Sequence, residues 1–133
     1  RSNLALYNIY RPPQSVAKSR LTSTFSQFLE DFKTLISIVS TSPLEFVITG
    51  DFNIHVDDPS DSNAIQFLSL LDHANLIQHV NFPTHRHSHT LDLVITSAHS
   101  IPYHLSLLVY QFLHQIIFLS FALSTSFHLL LLQ

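Results

Sequence analysis

Apolar positions along the chain change their spacing several times, and each change predicts an element. Leu4-Ala5-Leu6-Tyr7-Asn8-Ile9-Tyr10 is a run of aliphatic and aromatic residues that stops at Arg11-Pro12-Pro13. It predicts a strand followed by a loop, because two prolines cannot continue a ladder. From about Leu21 to Ser40 the apolar residues Phe25, Phe28, Leu29, Phe32, Leu35, Ile36 and Val39 recur every three or four positions. That spacing gives a helix with one apolar face, and Ser42-Pro43 ends it. Phe46 to Thr49 is a short apolar run before Gly50, the pattern of a buried strand feeding a loop. Asp57-Asp58-Pro59-Ser60-Asp61 is a turn cluster whose Asp and Ser side chains also supply N-caps. Ala64 to Leu76 reads as a second helix, with Ile65, Phe67, Leu68, Leu71 and Leu76 on or near one face. The chain then turns extended to Phe82, enters a polar loop from Pro83 to His89, and forms a strand from Leu91 to Thr96. Alternating strands and helices predict an α/β domain.

After Ala98 the pattern is lost. Leu105 to Leu123 is mostly Leu, Phe, Ile and Val, and Leu129 to Leu132 is a pure Leu run. This tail is compatible with a membrane helix, since its length is about the 20 residues needed to span. Gln111, His114 and Gln115 near its centre weigh against that. A core helix and out-of-frame sequence are the other readings, and the last is favoured because composition shifts where the preceding pattern stops. The expected organisation is a domain over 1–97 and an apolar tail over 98–133.

Composition changes the picture in four ways. The net charge of −3 and pI of about 6.3 provide no strongly basic surface, so charge alone does not predict nucleic-acid binding. Only 11% of the 133 residues are charged, and ten His carry much of the polarity. There is no Cys, which excludes disulfides and thiolate metal sites. The chain has no Met and begins at Arg1, directly before strand-like sequence, from which a fragment is expected.

Three acids and amides invite chemistry. Asp51 lies at the end of a predicted buried strand, where loops converge and α/β sites are usually built. Asn53, two residues on, can point to the same side. A carboxylate beside an amide suits holding a water and orienting it and a phosphate oxygen; a plain turn is the competing reading. Asp92 lies in the otherwise apolar Leu91-Asp92-Leu93-Val94-Ile95, where an ionised group is unfavourable unless paired. By alternation it shares a side with Val94, and the competing reading is a solvent-facing residue. His85, His87 and His89 alternate in one loop and can chelate zinc or copper if extended; an incidental polar loop is the favoured reading.

Taken in order, Asn8-Ile9-Tyr10-Arg11-Pro12-Pro13, Val47-Ile48-Thr49-Gly50-Asp51-Phe52-Asn53, Phe82-Pro83-Thr84-His85 and His89-Thr90-Leu91-Asp92-Leu93-Val94-Ile95 resemble the endonuclease domain of non-LTR (LINE-type) retrotransposons. That domain belongs to the endonuclease/exonuclease/phosphatase superfamily, with apurinic/apyrimidinic endonucleases and DNase I. The resemblance covers about residues 3 to 97. It implies an α/β fold, part of a two-sheet sandwich of the DNase I type, and a divalent metal, usually Mg2+, that helps activated water cleave a phosphodiester in DNA. Asp51 resembles the acid that binds or activates the water, and Asn53 its companion that positions water and phosphate. These two are also the partial metal site implied. Tyr10 resembles a tyrosine contacting the phosphate, and Asp92 the acid that orients a catalytic histidine. The Thr84 to Thr90 loop resembles a DNA-facing segment.

The family pattern also needs a metal-binding Glu from an early strand and a late Ser-Asp-His, and neither is found in these residues. Asp72-His73 reads as helix surface and helix end, and His99 and His104 lack a preceding Asp. An incomplete copy with weak or no nuclease activity is therefore expected. A membrane-associated, non-catalytic protein and a phosphatase of the same superfamily are the alternatives.

Overall fold

The computed structural model describes residues 4–13, 24–99, 110–111 and 113–115. The element order is β1 (Leu4–Tyr10), α1 (Phe25–Thr41), β2 (Glu45–Asp51), α2 (Ser62–His73), β3 (Leu76–Gln78) and β4 (Asp92–Ser97). The strands form one four-stranded sheet in the order β1-β2-β4-β3. β1 runs parallel to β2, as a strand–helix–strand crossover requires. β4 is antiparallel to both β2 and β3. The result is the mixed α/β arrangement expected for part of a DNase I-like domain, with one sheet among the described residues.

Both helices cover the same face of that sheet. Phe25, Phe28, Phe32, Ile36 and Val39 of α1 and Ala64, Phe67 and Leu71 of α2 are buried against Phe46 and Ile48 of β2 and Leu93 and Ile95 of β4. Ala5, Tyr7 and Ile9 of β1 join them, so alternate residues of every long strand point to the helices. Four phenylalanines make the centre. Phe67 lies 5.3 Å from Phe32 and 5.4 Å from Phe52, ring centroid to centroid, and Phe28 is 6.1 Å away. The other face carries a smaller cluster of Val47, Val80 and Val94, against which Leu4, Phe82 and Leu113 pack.

The helix ends are chemically defined. Thr24 caps α1, its hydroxyl accepting from the Gln27 N–H at 3.2 Å. Asp61 caps α2, its carboxylate accepting from Asn63 N at 2.8 Å. α1 begins at Phe25, and the expected earlier start at Leu21 lies outside the described residues. α2 covers 62–73 rather than 64–76, because Asn75 takes φ 53° and turns the chain so that Leu76 enters β3. Ile65 and Leu68, expected on or near the apolar face, are 53% and 38% exposed, because the buried stripe of α2 is Ala64, Phe67 and Leu71. The extended stretch after Leu76 pairs only as far as Gln78. Of the apolar tail, only 98–99, 110–111 and 113–115 are described, and the membrane, core-helix and out-of-frame readings rest mostly on residues outside that set. No described helix is long and apolar enough to cross a membrane.

Candidate functional site

The last residue of β1, the last of β2 and the first of β4 form one row across the sheet. Tyr10 is the partner of Asp51 in the parallel register, and Asp51 is the partner of Asp92 in the antiparallel register. Directly paired residues project from the same face. Leu93 and Ile95 point to the helices, so Asp92, like Val94, points to the face without them. Tyr10 is 70% exposed there, and Asp51 and Asp92 are half-buried.

Phe52 explains how the motif holds its polar residues out. Its ring is fully buried, edge-on to Phe28 and Phe32, while its N–H donates to Leu91 O at 2.9 Å. Ile54, two residues later, is also buried. Alternation around these anchors leaves Asp51 and Asn53 on the outside. Asn53 then folds back: its N–H donates to Asp51 Oδ1 at 3.1 Å, with φ at 47°. Asn accepts this left-handed backbone more readily than most residues. Gly50 answers to the packing of β1 against β2. Its φ is 140°, and a Cβ there would overlap the carbonyl oxygen of Ile9 on β1. The neighbouring strand β1 imposes the glycine.

Two residues at this end of the sheet were not singled out from the sequence. Arg11 reads as a loop residue before Pro12-Pro13, yet it is buried, with 6% exposure. Its N–H donates to Asp51 O at 2.9 Å, and its Nη1 donates to Asn53 O at 3.0 Å and Phe52 O at 3.4 Å. In return Asn53 Nδ2 donates to Arg11 O at 2.7 Å. Thr84 holds the start of β4, its Oγ1 accepting from the N–H groups of Leu91 and Asp92, each at 3.0 Å. Both roles rest on tertiary contacts, across 40 to 42 positions for Arg11 and seven or eight for Thr84.

The histidine loop does not converge on one point. Thr84 N and His85 N both donate to His89 O, which closes the loop on itself. His87 N donates to His85 Nδ1 at 3.3 Å. His89 turns away to Asp57, Nδ1 to Oδ2 at 3.0 Å, and its ring stacks on His55 with centroids 4.0 Å apart. Among the described residues, no group of three or more His, Asp or Glu side chains is arranged to hold a metal ion. His73 is the last residue of α2, its Nδ1 2.7 Å from Ser69 O, so Asp72-His73 lies on the helix as expected.

Electrostatics single out Asp51. Burial pushes its carboxyl above the ordinary carboxylate range, and Asp92 adds to this. Hydrogen bonds from Asn53 and the nearby His85 oppose the shift without cancelling it. Burial in turn pulls the His85 imidazole down, with His87 and Arg86 contributing.

A comparison with protein families matches residues 4–115 to one described as endonuclease-reverse transcriptase. No curated protein and no solved structure gives a significant match. Tyr10, Asp51, Asn53 and Asp92, drawn from three strands and one turn, all lie within the matched span. The chain belongs to the endonuclease–reverse transcriptase family, within the endonuclease/exonuclease/phosphatase superfamily of phosphodiester-cleaving domains.

Proposed function

We propose that the Tyr10–Asp51–Asp92 row and the adjoining Asn53 are the water-positioning part of a Mg2+-dependent DNA-nicking site. The observation that carries this reading is the pairing of Asp51 with Asp92, two carboxylates brought face to face at an open end of the sheet. Such a pair raises the energy of its own charged form unless a cation answers it. Magnesium takes oxygen ligands and keeps several waters, so it needs few protein carboxylates. Asp51 and Asp92 would hold it from one side, and when bound it would neutralise phosphate charge and make a coordinated water more acidic.

The chain's own residues have separate tasks in this reading. Asp51 accepts a proton from, or a hydrogen bond of, the attacking water. Asn53 orients that water and a phosphate oxygen. Tyr10, the most exposed of the four, offers its hydroxyl to the phosphate. Two carboxylates are a small set, and among the described residues no histidine is hydrogen-bonded to Asp92. The 133-residue chain alone is therefore expected to nick DNA weakly or not at all.

The test uses Mn2+ as a paramagnetic stand-in, followed by NMR of the whole chain. Broadening should begin at Asp51, Asn53 and Asp92 and be lost in Asp92→Asn. Broadening centred on His85 and His87 would overturn the assignment. Plasmid nicking with Mg2+ completes it. Robust nicking abolished by Asp51→Ala would keep the site and overturn the weak-activity expectation.

A further inference from the structure

We infer that Arg11 is the positioning residue of the Asp51–Asn53 turn, holding Asn53 in its left-handed backbone and tying that conformation to the packing of α1. The inference rests on the reading of Asp51 and Asn53 as site residues, but its geometry stands by itself. Arg11 meets the turn at four points. Its N–H binds Asp51 O, its guanidinium binds Phe52 O and Asn53 O, and its carbonyl receives the Asn53 side-chain amide. The Asn53 carbonyl oxygen is thus captured in the conformation that φ 47° dictates. The left-handed backbone is unfavourable for residues other than glycine, less so for Asn, and these contacts hold Asn53 in it.

The other side of the guanidinium belongs to α1. Its central carbon lies 5.3 Å from the Phe25 ring centroid and 5.4 Å from that of Phe28, both residues in the first turns of the helix. A planar guanidinium can lie against aromatic rings and bond two carbonyls at once, whereas an ammonium can do only one of these well. The buried charge is also answered by Asp61, the N-cap of α2. Arg11 thereby joins β1, the starts of both helices and the site turn.

The captured amide has a chemical consequence. Because Asn53 Nδ2 donates to Arg11 O, the side-chain amide cannot exchange its oxygen and nitrogen freely. Asn53 N–H meanwhile supports the Asp51 carboxylate. The guanidinium's bonds to the Phe52 and Asn53 carbonyls fix the turn in which that amide and N–H are placed, so Arg11 sets the orientation of Asn53 without touching a substrate.

The experiment compares wild type, Arg11→Lys and Arg11→Met by NMR, with Val39→Ala as a core variant remote from the turn. In wild type, hindered rotation of the Arg11 guanidinium and a dispersed Asn53 side-chain amide signal are expected. In both Arg11 variants the Asn53 signals should collapse toward random-coil positions, Lys failing to rescue although it keeps the charge. Val39→Ala should lower the Tm and leave both signals in place. A freely rotating guanidinium in wild type, or unchanged Asn53 signals in Arg11→Lys, would overturn the inference. Should the Arg11 variants not fold, the wild-type guanidinium signal decides. These readouts use neither Mn2+ nor nicking, so failure of the nuclease reading is told apart from failure of this one.

Discussion

Asp51 and Asp92 stand opposite each other on β2 and β4, and like charges so placed repel. The carboxyl of Asp51 is held up by burial first, then by Asp92. A folded-state value above the unfolded one favours the protonated folded protein. The stability it contributes is complete below the ordinary carboxylate range and is lost as pH rises through the raised value. At neutral pH, Asp51→Asn should therefore stabilise the fold by roughly 0.2–1 kcal/mol, since Asn keeps the acceptor for Asn53 N–H while removing the repulsion. The gain should vanish in acid. Urea midpoints at neutral and acid pH measure both, and a lower neutral midpoint would contradict the prediction.

Gly50→Ala should do the opposite. The added methyl meets the Ile9 carbonyl in a backbone conformation alanine rarely adopts. β1 must then shift from β2, with an expected loss of about 2–4 kcal/mol from strain and overpacking together. Urea unfolding followed by circular dichroism gives the value, and a loss below about 1 kcal/mol would mean that β1 yields easily.

Phe67 is fully buried among Phe28, Phe32 and Phe52. Truncation to alanine should destabilise by about 3–5 kcal/mol, a large share of a small domain's stability. Because Phe52 lies between Asp51 and Asn53, exchange of its amide, bonded to Leu91 O, should accelerate more than that of amides near the far end of β4. Uniform acceleration would show that the site turn is not the part loosened first.

Asp57 has the reverse sign to Asp51. Burial pushes its carboxyl up, but hydrogen bonds from Thr90 N–H and His89 outweigh it and hold the group below the ordinary range. Its contribution is present above the ordinary carboxylate range and is lost as pH falls through the lowered value. Thr90 amide exchange, corrected for its intrinsic pH dependence, should lose protection across that acid window, and Asp57→Asn should weaken the protection already at neutral pH. Equal protection in wild type and variant would dismiss the Asp57–Thr90 bond at 2.8 Å as the clasp of this loop.

What the sequence disclosed follows the strength of its local signals. Periodicity located every long element, and β1 was bounded correctly because Arg11-Pro12-Pro13 cannot extend a ladder. α2 was placed too late because Leu76 continues an apolar pattern, while its true end depends on the left-handed Asn75. Ile65 and Leu68 were misassigned with it, since the buried stripe is only Ala64, Phe67 and Leu71. At the site, Asp51, Asn53, Tyr10 and Asp92 were legible as residues, and alternation gave the side that Asp92 faces. Their alignment in one row was not legible, because register is fixed between strands. Arg11 was hidden for a related reason: its hydrogen-bond partners Asp51, Phe52 and Asn53 lie 40 to 42 positions away.

The row also makes the sheet's assembly self-checking. Slide β4 by one residue against β2 and Leu93 arrives opposite Asp51, while Asp92 turns toward the phenylalanines. The same error thus dismantles the carboxylate pair and puts a charge into the hydrocarbon interior. A chain of this sequence has no comfortable misaligned form that retains both acids side by side, so the pair doubles as a record that β2 and β4 have met correctly.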